Sequence, residues 1–209
     1  MEVELVDLSF RKNNLEDFER CDGFVLTGGV DVHPSLYGAD VNYENRPEDF
    51  QVERDYFEEK LYRYSQENKR PLLALCRGMQ LINALQGGGL MQDLGVDNRH
   101  HRSEEGMDKE HTITIEQDTD LFHITGLHKG VVNSAHHQVI DPAKIGDNLK
   151  VNAFSSAGNK VIEGIEWDDK TNQAFMLGVQ WHPERIRNAE YPLAGNIKKA
   201  FLEAVRNRT

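Results

Sequence analysis

Three short stretches bring together residue types that can do chemistry. In Ala74-Leu-Cys76-Arg-Gly78, a cysteine stands where an apolar run, Leu72–Leu75, gives way to a helical period. A tight strand-to-helix turn would lift this thiol above a sheet edge, and small neighbours let the chain turn without clashes. The thiol would also stand at a helix N-terminus, whose partial positive charge favours the thiolate. A structural cysteine packed beneath a helix would show the same five residues, so these alone leave both readings open.

A thiolate nucleophile needs a base. His182 follows the apolar stretch Met176-Leu-Gly-Val-Gln-Trp181 and precedes Pro183-Glu184. Pro183 disfavours a helical His182, and in an extended chain residues i and i+2 point the same way. Glu184 can therefore reach the His182 imidazole, fix its tautomer and stabilise the imidazolium, as the third member of a catalytic triad does. The alternative is an ordinary strand end with a surface His and Glu.

Thr27-Gly28-Gly29 ends another short apolar stretch. Glycines there let backbone N–H groups approach a developing oxyanion, with the Arg77 amide as second donor. A plain turn explains the same residues. His33, His100, His101, His111, His123 and His128 read as surface histidines. His100-His101 with His111 suggests a metal, but neither a second Cys nor a carboxylate falls at ligand spacing. Neither a metal nor a cofactor is therefore expected.

The elements that must position these groups follow from periodicity. Val3 to Leu8 alternates apolar and charged residues as a strand does, and Asn14 to Arg20 is a short helical stretch. Gly23 to Thr27 is a strand, Pro34 to Pro47 a surface loop, and Glu48 to Asn68 a helix. Leu72 to Leu75 is apolar throughout, as in a parallel strand buried on both faces. A helix over residues 77–86 follows, ended by Gly87-Gly88-Gly89. Beyond it, Asn98 to Asp108 reads as a mobile polar loop. Strands are expected at His111–Ile115, Leu149–Phe154, Val161–Glu166 and Ala174–Gln180, and a helix from Pro192 to Arg206. Strand alternating with helix around a wholly apolar strand predicts an α/β fold, and no linker divides the 209 residues, so one domain is expected.

The 24 Lys and Arg against 35 Asp and Glu give a net charge of −11, which disfavours nucleic acid and anionic membranes as partners. Apolar runs are too short for a membrane span, the first residues do not read as a secretory signal, and Cys21 and Cys76 read as free thiols. A cytoplasmic protein is the expectation.

Thr27-Gly-Gly29, Leu75-Cys-Arg-Gly-Met-Gln80, Ser134-Ala-His-His-Gln138 and Gly178-Val-Gln-Trp-His-Pro-Glu184 together resemble the class I glutamine amidotransferase superfamily. Gly28-Gly-Val-Asp-Val-His-Pro34, Leu36-Tyr-Gly38 and Trp181 make the chain similar to its peptidase C26 branch of γ-glutamyl hydrolases, nearest to those acting on γ-glutamyl-γ-aminobutyrate in putrescine breakdown. The resemblance implies a flavodoxin-like three-layer sandwich around a central, mostly parallel sheet, with extra antiparallel strands in the second half. It implies Cys76 as nucleophile with His182 and Glu184, an oxyanion hole of the Gly29 and Arg77 amides, and Gly28, Gln80, His136, His137 and Gln138 at a small γ-glutamyl substrate. Ala74 replaces the glycine common at the start of the elbow, and about forty residues that precede Val3 in the family, a strand and a helix, are expected to be missing.

The expected activity is hydrolysis of a γ-glutamyl amide through a cysteinyl thioester, releasing glutamate. Two alternatives stand beside it: a glutaminase subunit delivering ammonia to a synthetase, and a non-catalytic binding protein that keeps the pocket. The long loop from Val30 to Asp49 resembles the hydrolase branch more than the ammonia-channelling subunits, which ranks the hydrolase first. A homo-oligomer is left open.

Overall fold

The computed structural model describes residues 3–207. After a 3-10 helix at Leu15–Arg20, the elements run β1 (Phe24–Leu26), α1 (Val52–Glu67), β2 (Leu72–Leu75), α2 (Arg77–Leu85), β3 (Leu90–Met91), α3 (Asn98–His101), β4 (Lys109–Ile115), α4 (Asp120–Thr125), β5 (Lys129–Ser134), β6 (Val139–Ile140), β7 (Leu149–Ser155), β8 (Ile162–Trp167), β9 (Met176–Val179) and α5 (Gly195–Arg206).

Seven strands form one sheet in the order β1-β2-β9-β8-β7-β4-β5; β3 and β6 pair separately. β1, β2 and β9 are mutually parallel, whereas β8, β7, β4 and β5 continue the sheet antiparallel. The parallel part carries the functional motifs, and the antiparallel part supplies the extra strands expected of the second half. β2 shows why the sheet is a middle layer. Leu72 and Ala74 pack with Phe57, Leu61 and Ile82 of α1 and α2, while Leu73 and Leu75 pack with Leu121, Ile197 and Phe201 of α4 and α5. Side chains that alternate across the strand thus feed two separate apolar cores, which explains an uninterrupted apolar run. The result is an α/β sandwich with helices on both faces.

Three expectations are corrected. Val3 to Leu8 is not a strand: no regular structure spans it, and a cavity of about 860 Å³ lies between this segment and β1. Its Val6, Leu8 and Phe10 pack on the core while Leu5 is 90% exposed, so side-chain alternation is present without a ladder. The loop from Asn98 begins as the helical turn α3, with His101 fully buried. His111 is also buried, because alternate residues of β4 face inward, so neither histidine is a surface group. β3, β5, β6 and α4 were not expected from the sequence. No helix among the described residues is long and apolar enough to cross a membrane.

Candidate functional site

Cys76 directly follows β2 and is the N-cap of α2. Its backbone N–H extends the β2–β9 ladder by donating to the Val179 carbonyl at 2.8 Å, and its carbonyl accepts from the Met79 amide at 3.0 Å as the helix starts. Serving both elements forces φ to 51° and ψ to −109°, a conformation costly for a side-chain-bearing residue. The turn also needs Gly78: a Cβ there would lie 2.6 Å from the Leu26 Cβ. The small residue of the elbow therefore lets α2 press onto β1. The thiol is buried but borders an open cleft of about 250 Å³, shared with Gly29, Asp31, Gln80 and His136.

β9 is the parallel neighbour of β2, which brings its following residues to the same sheet edge. His182 Nδ1 lies 2.6 Å from Glu184 Oε1. Asn133 grips the His182 backbone from both sides, accepting from its N–H at 2.9 Å and donating to its carbonyl at 2.9 Å. Burial acts to lower the His182 pKa, but contact with the Cys76 side chain and with Glu184 outweighs it and raises the value to about 9. Burial in turn acts to raise the Glu184 pKa, and its hydrogen bond with His182 holds it below the usual carboxylate range. The thiol, imidazole and carboxylate that the sequence singled out are therefore contiguous.

The Gly28-Gly29 segment reaches the same edge from β1. A Cβ on Gly28 would fall 2.6 Å from His182 Cε1 and 3.6 Å from the Cys76 Cβ, so this backbone lies against both groups. Arg54 of α1 holds it there, donating from Nη2 to the Thr27 and Gly28 carbonyls, each at 3.0 Å. Glu58 accepts from Arg54 Nε at 2.7 Å and also pairs with Arg77, whose buried guanidinium binds Asp55 as well. One ionic chain thus ties the residue after Cys76 to the strand end that faces it. Burial pushes the Asp55 carboxyl pKa up, against the opposing pull of Arg77.

The remaining expected residues lie around the cleft. Gln80 donates from Nε2 to the Gln138 carbonyl at 2.7 Å and to Gln180 Oε1 at 3.1 Å, so its NH₂ is already engaged within the protein. The Gln138 side chain braces the Val32 amide at 3.3 Å and meets the Tyr37 hydroxyl at 3.3 Å. His137 stands between Asp31 (3.2 Å) and Asp93 (3.0 Å). Burial works to lower its pKa, yet the two carboxylates raise it overall. His136 is turned inward, with Nε2 3.7 Å from Glu163.

Sequence reasoning missed Gln180, whose Nε2 is 3.4 Å from Cys76 Sγ, as well as Arg54, Asn133 and Glu163. Gln180 was detectable, since it precedes His182 by two residues and so shares its side of an extended chain. Arg54, Asn133 and Glu163 had no local signal.

The Peptidase C26 family matches residues 11–184, and the chain belongs to that family. It is 36% identical to protein NtpR of Enterococcus hirae over 172 residues, which cover 79% of this chain and 68% of NtpR. It is 31% identical to the γ-glutamyl-γ-aminobutyrate hydrolase of Escherichia coli O157:H7 over 199 residues, covering 88% of this chain and 72% of that protein. Among solved structures, the glutaminase domain of Trypanosoma brucei CTPS with bound acivicin superposes over all of this chain and 83% of its own, with a TM-score of 0.69 at 15% identity. A glutamine amidotransferase from Thermotoga maritima covers 76% of this chain and 74% of its own, with a TM-score of 0.55 at 14% identity. These likenesses establish the glutamine amidotransferase-type fold, and family membership makes the chain a glutamine amidotransferase-like hydrolase.

Proposed function

We propose that this hydrolase cleaves the amide bond of a small γ-glutamyl compound through a γ-glutamyl thioester on Cys76. The observation that carries the reading is His182, held between the Cys76 thiol and the Glu184 carboxylate on adjacent strand ends. Cys76 Sγ attacks the γ-carbonyl carbon, and the carbonyl oxygen becomes an oxyanion facing the Gly29 and Arg77 amides. The His182 imidazolium then donates its proton to the leaving nitrogen, the C–N bond breaks, and the amine departs. Neutral His182 takes a proton from water, hydroxide adds to the thioester, and glutamate leaves with the thiolate restored. Asp31 at the cleft wall is a suitable partner for the α-ammonium of the glutamyl group, with Gly28, Gln80 and the segment from His136 to Gln138 shaping the rest of the pocket.

The Escherichia coli relative's name points to γ-aminobutyrate as the amine released, and hence to polyamine catabolism. Cys21 and Cys76 are both free, which fits a reducing, cytoplasmic setting. The test is glutamate release from a panel of γ-glutamyl-γ-aminobutyrate, other γ-glutamyl amides and glutamine. Faster turnover of γ-glutamyl-γ-aminobutyrate than of glutamine, abolished by Cys76→Ala, is expected. Turnover retained by Cys76→Ala would overturn the thioester, and turnover of glutamine alone would overturn the substrate.

A further inference from the structure

Four buried side chains meet behind the cleft, on segments far apart in sequence: His101 at the end of α3, His111 on β4, His136 between β5 and β6, and Glu163 on β8. His101 and Glu163 are fully buried, and His111 and His136 nearly so. Three imidazole nitrogens converge on one carboxylate oxygen, with His111 Nε2, His136 Nε2 and His101 Nδ1 at 3.0, 3.7 and 3.8 Å from Glu163 Oε1. The cluster is also where hydrogen bonding fails. Twelve buried side-chain N and O atoms make no well-aligned hydrogen bond among the described residues, and eight of them belong to these four residues, the 3.0 Å approach of His111 Nε2 to Glu163 Oε1 included. Buried polar atoms are ordinarily paired, so such a concentration calls for a ligand or ion.

A second glutamate on the same strand gives the contrast. Glu166 is equally buried, but it accepts from the Asp120 and Leu121 amides at the start of α4, from Asn152 and from Lys170. Glu163 faces only imidazoles. A cation bound among these groups would pair the carboxylate and the imidazole nitrogens at once.

We propose that His101, His111, His136 and Glu163 form a binding site for a divalent transition metal ion of the zinc class. Three nitrogens and one carboxylate oxygen are a tetrahedral zinc donor set. Metal–ligand distances of about 2.0–2.1 Å require donor–donor edges of roughly 3.3–3.4 Å, which the three separations from Glu163 Oε1 bracket. His101, His111 and Glu163 place their donor atoms within 4.8 Å of one another, and His136, outside that set, reaches Glu163 at 3.7 Å. Four protein ligands close the coordination shell, so the ion is structural. It would lock α3, β4, β8 and the β5–β6 loop together. The Glu163 carbonyl accepts from the Gln180 amide at 2.8 Å, which links the cluster to the strand end that carries His182.

The test uses the intact chain purified without immobilised-metal chromatography, stripped with chelator and titrated with Zn²⁺ and Co²⁺. One equivalent per chain is expected, with a raised Tm and the visible ligand-field bands of tetrahedral Co²⁺. Glu163→Gln should weaken Zn²⁺ binding by at least about tenfold and remove the bands, whereas the surface control His100→Ala should change neither. Wild-type protein without a Zn²⁺-dependent Tm shift and without Co²⁺ bands would overturn the site, however the variants fold. Equal metal affinity in wild type and Glu163→Gln would overturn it too. Neither readout uses turnover, so the site and the proposed activity stand or fall separately.

Discussion

Gly28 and His182 are in such close contact that a single methyl group on Gly28 would overlap the imidazole, 2.6 Å from Cε1. A contact that short has to be relieved by movement. The Gly28 backbone is held by Arg54, so the ring would yield and lose its alignment with Cys76.

Gly28→Ala is therefore expected to lower kcat/KM by about 10²-fold, the scale of a 1 Å misplacement of a catalytic group. Iodoacetamide labelling of Cys76 should slow in parallel, with Cys21 as internal reference. Unchanged turnover would mean that His182 does not need this position.

The backbone of Cys76 predicts an inverse relation between stability and activity. Its φ of 51° and ψ of −109° store about 1–3 kcal/mol in a side-chain-bearing residue, and glycine adopts such angles freely. Cys76→Gly and Cys76→Ala should both be inactive. Glycine's larger loss of chain entropy offsets part of the relief, and Cys76→Gly should still be more stable than Cys76→Ala by about 1 kcal/mol. Urea denaturation of the two variants makes the comparison.

The pH dependence follows from His182. Burial acts against its protonated form, but Cys76 and Glu184 outweigh burial and raise its pKa to about 9. The imidazolium proposed to supply a proton to the leaving amine persists below that pH and is lost above it. A pH profile of kcat/KM should accordingly fall on the alkaline side near pH 9. In Glu184→Gln that limb should move down toward the ordinary histidine value of 6.5, and a limb that stays put would rule out Glu184 as the partner.

How much of this was readable beforehand depends on whether a signal was local. Cys76 was marked by five residues at one strand end, and His182 and Glu184 by a proline between them. Leu72–Leu75 declared its position in the sheet because both faces are buried. The Val3 to Leu8 pattern misled because alternation describes side chains, whereas a strand also needs a partner at hydrogen-bonding distance. Glu163 was invisible for a different reason. It reaches His111 only through the β4–β7–β8 order of the sheet, and its own stretch reads as one more buried strand.

Arg77 should prove a stability determinant through its side chain, apart from the role proposed for its amide. Arg77→Ala leaves Asp55 and Glu58 buried without their cation and should cost about 3–5 kcal/mol. Arg77→Lys keeps the charge but loses the two-pronged geometry, and should cost less. Chemical denaturation of both variants gives the ranking.

The solitary pairing of β1 has a consequence for how the site breathes. Among the described residues β1 pairs only with β2, whereas β2 is hydrogen-bonded on both sides. The half of the site that bears Cys76 is thus woven into the sheet, and the half that bears Gly28 and Gly29 hangs from a margin fastened by the Arg54 guanidinium. In a hydrogen–deuterium exchange experiment the amides of β1 should exchange well before those of β2. Loss of the Arg54 fastening should widen that gap without touching the thiol's own scaffold.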